Sequence, residues 1–404
     1  MPTLGLGDEG EYVVLLEQAL SRLRVYNGEP RGVFDTALQQ ALLQFQERAY
    51  LPATGRTDAL TWRNLGEAVN DYPLVIGYYV SGGAFESYSV LEKYGHLMTA
   101  IAPVWFWIES DGRVLGNIDM ATMESARRRG VRLLALVNNL RYDTATSKAQ
   151  VERALHDETV GRAIIRNIVL LAEKFGFTGI NLDFEYIRPE DRERFSVFVG
   201  LLGQELRARK LWFTVSVAAK TADRDAAYGF NGGFDYKALS KAADHLIIMA
   251  YDYHYAGGPP GPVAPINWIE NVIRYAKTQV KATQLILGVN AYGYDWYSPN
   301  EKARAVVMRN VPAWLASKGI SLAWDPVASA PYVRYRGSSG EELEAWLENA
   351  QSIKQKMTLV KTHGLAGLAW WRMGYEDDSF WEALQSIWPY PEGWSTYTPI
   401  RTAN

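Results

Sequence analysis

Three polar side chains alternate with apolar ones near the middle of the sequence. Asn181, Asp183 and Glu185 occupy every second position, and the residues between them are apolar. On a β-strand alternate side chains share one face, so the three polar groups are expected to point the same way. Two carboxylates this close raise the proton affinity of one by like-charge repulsion, which suits a general acid working near neutral pH. The alternative is a buried polar cluster without a catalytic role.

Composition disfavours metal and thiol chemistry for this cluster. The chain has 5 His, none at ligand spacing, and 0 Cys, so we predict no metal and no cofactor. Asp183 and Glu185 are too close in sequence to flank a sugar from opposite sides, as the paired carboxylates of an ordinary glycosidase do.

The sequence around these polar residues alternates between two kinds of segment, which must position them. Short apolar, β-branched and aromatic runs, which are typical of buried parallel strands, are separated by helical stretches. The runs are 74–80, 97–107, 132–138, 179–184, 212–218, 245–251, 284–290 and 365–371, and the clearest helical segments are 161–175, 191–209, 268–280 and 340–363. Over residues 72–390 this pattern predicts an α/β fold, a (β/α)8 TIM barrel, with an open doubly wound sheet as the alternative.

In such a barrel, catalytic groups lie at the carboxyl ends of the strands. The sixth run ends Met249-Ala250-Tyr251-Asp252, and the eighth ends Trp370-Trp371. These residues are therefore expected at the same end of the barrel as Asp183 and Glu185. Trp212 begins a run and is expected at the opposite end, in a structural role.

Together the three strand ends resemble glycoside hydrolase family 18, the chitinase-like barrels. That family carries D-G-x-D-x-D-x-E on strand four, M-x-Y-D on strand six and a floor tryptophan on strand eight. Thr178 and Asn181 replace the first two acidic residues of the motif, whereas Asp183 and Glu185 match it. Asn181 and the segments 287–296, 324–335 and 346–356 are similar to the spore-cortex lytic N-acetylglucosaminidase branch.

The resemblance implies a retaining glycosidase in which the substrate assists, cleaving β-1,4 bonds after N-acetylglucosamine. Glu185 is then the acid, Asp183 orients the acetamide of the sugar, and Tyr251 donates a hydrogen bond to its oxygen. The implied sugar contacts are Asn181, Asp252, Trp371, Asn138, Tyr292, Tyr294 and Trp296. Rim packing is the alternative role for Tyr292, Tyr294 and Trp296, and packing is the expected role of Trp370.

Residues 1–68 have a different pattern, with three helical periods separated by Asn-Gly, Arg-Gly and Thr-Gly turns. Asp35 and Asp58 are predicted to cap the second and third helices. The segment resembles the three-helix peptidoglycan-binding domain, although Asp35-Thr36 stands where that family has Gly-Pro. The G-x-G-x-x-G match at 5–10 has no preceding strand and is predicted to be a loop rather than a dinucleotide site. Residues 391–404 are assigned to a C-terminal tail.

Charge and hydropathy restrict the partners. A net charge of −3 disfavours nucleic acid, and no long apolar run predicts a membrane span. No secretory leader is recognisable at the start, so we expect spore or cell-wall association, or an extracellular location had a leader been removed. The expected partner is peptidoglycan or a chitin-type glycan, and the oligomeric state stays open. A true chitinase and an inactive, lectin-like binding protein are the alternative functions.

Overall fold

The computed structural model describes residues 1–82, 86–141, 143–223, 231–298, 300–337 and 339–389. The predicted tail at 391–404 therefore lies outside the described residues. Within the described residues, no helix combines the length and the hydropathy that a membrane span requires.

The N-terminal residues form three helices around a small core of their own. These are α1 (Glu11–Arg22), α2 (Thr36–Arg48) and α3 (Ala59–Val69). Asp35 and Asp58 cap α2 and α3 as predicted, because each carboxylate accepts a hydrogen bond from a backbone N–H of the first turn. The segment at 5–10 is a loop, as predicted, in which Gly7 and Gly10 adopt φ angles of 91° and 120°.

Fourteen strands are present in the described residues. They are β1 (Leu74–Tyr79), β2 (Ala100–Ile108), β3 (Val114–Gly116), β4 (Arg132–Asn138), β5 (Gly179–Asp183), β6 (Trp212–Ala218), β7 (His245–Met249), β8 (Leu285–Asn290), β9 (Tyr292–Trp296), β10 (Arg304–Val307), β11 (Ala323–Asp325), β12 (Ala330–Arg336), β13 (Glu342–Trp346) and β14 (Gly367–Trp371).

Eight of these strands close into a parallel barrel, which confirms the predicted fold class. The order around the barrel is β1, β2, β4, β5, β6, β7, β8 and β14, and β14 pairs again with β1. Residues alternate between a packed barrel interior and an outer layer that faces the helices. In β5, for example, Ile180 and Leu182 join the outer core, whereas Asn181 bonds a neighbour inside the barrel.

Helices surround the barrel. They are α4 (Ser87–Tyr94), α5 (Met120–Arg128), α6 (Thr144–His156), α7 (Glu158–Phe175), α8 (Arg192–Ala208), α9 (Tyr236–Ala242), α10 (Ile266–Gln279), α11 (Val311–Lys318), α12 (Ala350–His363) and α13 (Asp378–Ile387).

The predicted helix over 340–363 is wrong in its first part. Residues Glu342–Trp346 form β13, and α12 begins only at Ala350, behind an Asn349 capping box. The segment is rich in helix formers, but its pairing with β12 buries Leu343 and Ala345 on one face. Tertiary packing therefore overrides the local preference.

A second, antiparallel sheet is inserted between β8 and α12. Its strand order is β10-β9-β13-β12-β11. Tyr292, Tyr294 and Trp296 lie on β9 of this sheet, so they belong to the insertion and not to the barrel rim.

A buried ion pair joins the insertion to the barrel. Lys356 on α12 pairs with Glu348, which follows β13, and its ammonium also donates to Asn290 Oδ1 at 3.1 Å. Asn290 ends β8 and donates to the backbone carbonyl of Tyr292 at 2.6 Å. Ser352 donates to the second oxygen of Glu348 at 2.6 Å. These contacts fix the point where the chain leaves the barrel and enters β9.

The helical domain docks on the amino end of the barrel. Tyr50 stacks on Trp212 with 6.4 Å between ring centroids, and its hydroxyl donates to Asp244 at 2.5 Å. Arg63 donates from one nitrogen to two barrel-side carbonyls, each at 2.9 Å. The Arg132 guanidinium lies 4.6 Å from the Trp212 ring centroid. Trp212 and Arg132 are the first residues of their strands, so this interface is opposite to the expected catalytic end.

Candidate active site

Asp183 ends β5 and faces the barrel interior above a chain of hydrogen bonds. Asn181 donates to Thr214 at 2.9 Å and accepts a bond from Ser216 at 3.3 Å. Ser216 in turn shares a 3.0 Å hydrogen bond with the Tyr78 hydroxyl. Burial raises the pKa of Asp183, and the nearby Ser216 hydroxyl opposes that rise. Asn181 is fully buried and its side chain bonds these neighbours, so its direct contact with sugar stays a prediction.

Glu185 lies two residues beyond the end of β5. Its pKa is raised, first by burial and then by the charges of Asp183 and Asp252. A carboxyl whose pKa is raised keeps its proton closer to neutral pH, as a general acid requires. The predicted coupling to Asp183 is therefore present, but desolvation is the larger cause.

Tyr251 and Asp252 follow β7, two strands away from Asp183 around the barrel. Burial raises the pKa of Tyr251 far above its ordinary value, and the nearby Tyr78, Asp183 and Glu185 raise it further. The phenol therefore stays protonated and is available as a hydrogen-bond donor. Tyr251 is therefore close enough to both carboxylates to be affected by their charges.

The β9 tyrosines hold Asp252. Tyr292 donates to Asp252 Oδ1 at 2.7 Å, and Tyr294 donates to the same oxygen at 3.3 Å. Burial raises the pKa of Asp252, and these two bonds oppose the rise. The two tyrosines are thus connected to the predicted site by their hydrogen bonds to Asp252.

Trp371 ends β14, and its ring centroid lies 5.6 Å from that of Tyr78. The Trp371 ring is partly exposed, so a sugar ring can stack on it near Asp183 and Tyr78. Trp370 is fully buried against Phe380 and Trp381, as its predicted packing role requires.

Two other predicted contacts lie at the edge of this group. Asn138 is opposite Asp183 in the β4–β5 register and accepts a hydrogen bond from the Leu140 backbone at 3.0 Å. Trp296 is 6% exposed, packs among insertion residues and donates to the Gly258 carbonyl at 2.9 Å. We therefore assign Trp296 to support of the loop after β7, and its direct contact with sugar stays a prediction.

The sequence reasoning missed three residues of this site. Tyr78 and Ser216 are inward-facing residues of β1 and β6, and they complete the chain below Asp183. Asn139 bonds both backbone polar groups of Glu185. The available signal was a polar residue at an inward position of a barrel strand, or directly after its end, which costs free energy unless it has partners.

No set of three metal-binding side chains comes together among the residues that the structure describes. The described groups can donate a proton, accept hydrogen bonds from a sugar substituent and stack on a sugar ring. That is the equipment for acid-assisted cleavage of a glycosidic bond.

Comparison with known proteins identifies the class. Residues 75–376 match the family model Glycosyl hydrolases family 18, and residues 9–65 match a peptidoglycan binding domain model. The chain belongs to glycoside hydrolase family 18 and is a glycosidase.

Spore-cortex enzymes and chitinases are among the similar proteins. The cortical fragment-lytic enzyme of Bacillus subtilis is 33% identical over 62% of this chain, which spans 59% of that enzyme's length. The spore cortex-lytic enzyme SleL of Bacillus megaterium has 27% identity and a TM-score of 0.71, over 78% of this chain and 73% of that one. A chitinase from Chromobacterium violaceum has 32% identity and a TM-score of 0.72, over 78% of this chain and 98% of that one.

Proposed function

We propose that this glycosidase cleaves β-1,4 bonds after N-acetylglucosamine in peptidoglycan or spore-cortex fragments, with retention and with help from the substrate. The observation that carries the proposal is that Asp183 is buried at the end of β5 and Glu185, two residues further on, has a raised pKa, while Tyr251 is close enough to both to be affected by their charges. The relatives that act on cortex fragments and the N-terminal peptidoglycan-binding match favour this substrate class.

In the first step Glu185 gives its proton to the glycosidic oxygen as the C1–O bond breaks. The carbonyl oxygen of the sugar's 2-acetamido group forms a bond to C1 and yields a cyclic oxazolinium ion. Asp183 accepts a hydrogen bond from the acetamide N–H and stabilises the positive charge, while Tyr251 donates to the acetamide oxygen. Trp371 holds the sugar ring from below.

In the second step a water molecule attacks C1, and Glu185 takes its proton. The bond from C1 to the acetamide oxygen breaks, which restores the acetamido group and leaves the original anomeric configuration. Asp252, held by Tyr292 and Tyr294, is placed to accept a hydrogen bond from a sugar hydroxyl.

The N-terminal domain has a surface cavity for the polymer on the side of α2. It has a volume of about 680 Å³ and is bordered by the loop after α1, with Tyr26, Asn27, Arg31, Gln40 and Gln44 among its lining residues. We propose this cavity as the wall-polymer contact, and with it spore or cell-wall association of the protein.

A digestion experiment tests the proposal. Cortex muropeptides are incubated with wild type and Glu185→Gln, and products are identified by mass spectrometry and by NMR of the first anomer released. We expect β-anomer products ending in N-acetylglucosamine from wild type and no turnover by Glu185→Gln. Initial release of the α-anomer, or equal turnover by the variant, contradicts the mechanism.

Chitin cleavage is the second candidate, favoured by the likeness to the Chromobacterium violaceum chitinase. Chitin oligomers assayed beside cortex muropeptides separate the two, and a higher kcat/KM on chitin reverses the order. Oligomers in which the acetamide is replaced by an amine are expected to resist cleavage in either case. Glycan binding without any hydrolysis would instead support a lectin-like protein.

A further inference from the structure

One buried asparagine, Asn139, bonds both backbone polar groups of Glu185 with its side-chain amide. Asn139 follows the last residue of β4 and is fully buried. Its Oδ1 accepts the backbone N–H of Glu185 at 2.9 Å, and its Nδ2 donates to the backbone carbonyl of Glu185 at 3.1 Å. The same Nδ2 donates to the carbonyl of Ser147 on α6 at 3.1 Å.

These bonds replace a strand ladder that has just ended. The β4–β5 register stops at the pair Asn138–Asp183, so Glu185 lies beyond the last paired position. At Tyr186 the backbone enters the left-handed region, with a φ of 62°, and turns away. The Asn139 amide thus supplies the N–H and C=O partners that a neighbouring strand would supply at this point. It holds Glu185 between the end of the strand and the turn.

We propose that Asn139 is a positioning residue that sets the direction of the Glu185 carboxyl toward the glycosidic oxygen. This inference rests on the proposed role of Glu185 as the acid. Proton transfer depends steeply on geometry, and a displacement of about 1 Å can cost on the order of 100-fold in rate. Because Asn139 bonds backbone atoms of Glu185 and is buried away from the sugar side, its loss acts on kcat and leaves substrate affinity almost intact.

Two substitutions test this role. Asn139→Ala removes both bonds to Glu185. Asn139→Asp has the same shape and keeps the acceptor for the Glu185 N–H, but it turns an oxygen toward two backbone carbonyls. We expect kcat on a soluble chito-oligosaccharide or muropeptide to fall roughly 10- to 100-fold in both variants, with KM within about twofold of wild type. Asn139→Asp also adds negative charge beside Glu185, so its alkaline limit of activity should move to higher pH.

A matched control comes from α7. Asn167 donates to the Gly112 carbonyl at 2.9 Å, so Asn167→Ala also removes a side-chain bond to a backbone carbonyl, but one that does not involve Glu185. We expect it to lower the melting temperature while kcat stays at the wild-type value.

The outcomes distinguish the positioning role of Asn139 from the acid role of Glu185. If Glu185→Gln is inactive while Asn139→Ala and Asn139→Asp keep the wild-type kcat, the positioning role is refuted and the acid assignment stands. If Glu185→Gln is as active as wild type, the proposed function fails and the positioning role fails with it. Should Asn139→Ala not fold, the isosteric Asn139→Asp decides by its kcat and its alkaline limit.

Discussion

Asp183→Asn should move both limits of the pH–activity profile in directions that the structure dictates. Glu185 must carry its proton, so activity falls as the pH rises through its raised pKa. Asp183 must be ionised to stabilise the positive intermediate, so activity falls as the pH drops through its own raised pKa. The variant has no ionisable group at position 183 and loses a charge that raises the pKa of Glu185. The variant keeps only residual activity, because the negative charge that stabilises the intermediate is gone. In the pH profile of that residual activity we expect the acidic limit to disappear and the alkaline limit to move down.

The size of the downward shift in the alkaline limit follows from the spacing of residues along the backbone. Glu185 follows Asp183 by two residues, which in extended backbone are about 6.6 Å apart because each residue advances the chain by about 3.3 Å. At an effective dielectric constant of about 20, two unit charges at that distance repel by about 2.5 kcal/mol. This corresponds to about 2 pH units. Desolvation remains in the variant, so its alkaline limit should still lie above the pKa of a free glutamic acid.

The measurement is kcat/KM against pH on a soluble chito-oligosaccharide, with quenched time points, because this ratio reports the free enzyme. Asp143→Asn, an exposed helix cap on α6, is the control and should leave both limits in place. An unmoved alkaline limit in Asp183→Asn would refute the electrostatic coupling, and a persistent acidic limit would show that another group must be ionised.

Three further changes have directions that the structure sets. Lys356→Met leaves the fully buried Glu348 carboxylate without its cation and should lower the free energy of unfolding by about 3–5 kcal/mol in urea titrations. Tyr50→Phe removes the bond to Asp244 and should weaken the contact between the two domains by about 1–2 kcal/mol, seen as faster proteolysis between residues 66 and 74. Trp371→Ala should raise KM about 10-fold with little loss of stability, because the ring is partly exposed.

A specific result would refute each of these three predictions. Adding Glu348→Leu to Lys356→Met should recover most of the stability, and no recovery would contradict an unpaired charge as the cause. Equal proteolysis of Tyr50→Phe and wild type would show that stacking on Trp212 holds the domains without the hydroxyl. An unchanged KM in Trp371→Ala would remove this ring from the substrate site.

The barrel and the core of the site could be predicted because strand periodicity and strand-end position both point to Asp183, Glu185 and Tyr251. The insertion could not, because the residues before α12 have helix propensity and become a strand only through pairing with β12. Asn139 and Tyr78 could not be assigned either, since their partners lie 46 and 138 residues away in sequence. Local patterns identify such residues as polar, but only the closed barrel determines which partner each one meets.

The helical domain docks at the amino end of the barrel, and this placement has a consequence for how the enzyme works on a solid wall. On the proposed function, the point of attachment and the point of cleavage are separated by the length of the barrel strands, about 20 Å for strands of six residues. A short fragment then has no means of occupying both places. An enzyme molecule that is attached to one glycan chain instead cleaves neighbouring glycan chains. The rate of cleavage therefore depends on how densely glycan chains surround each attachment point. Crowded, intact wall and diluted soluble fragments should therefore rank differently as substrates for the full chain and for the barrel.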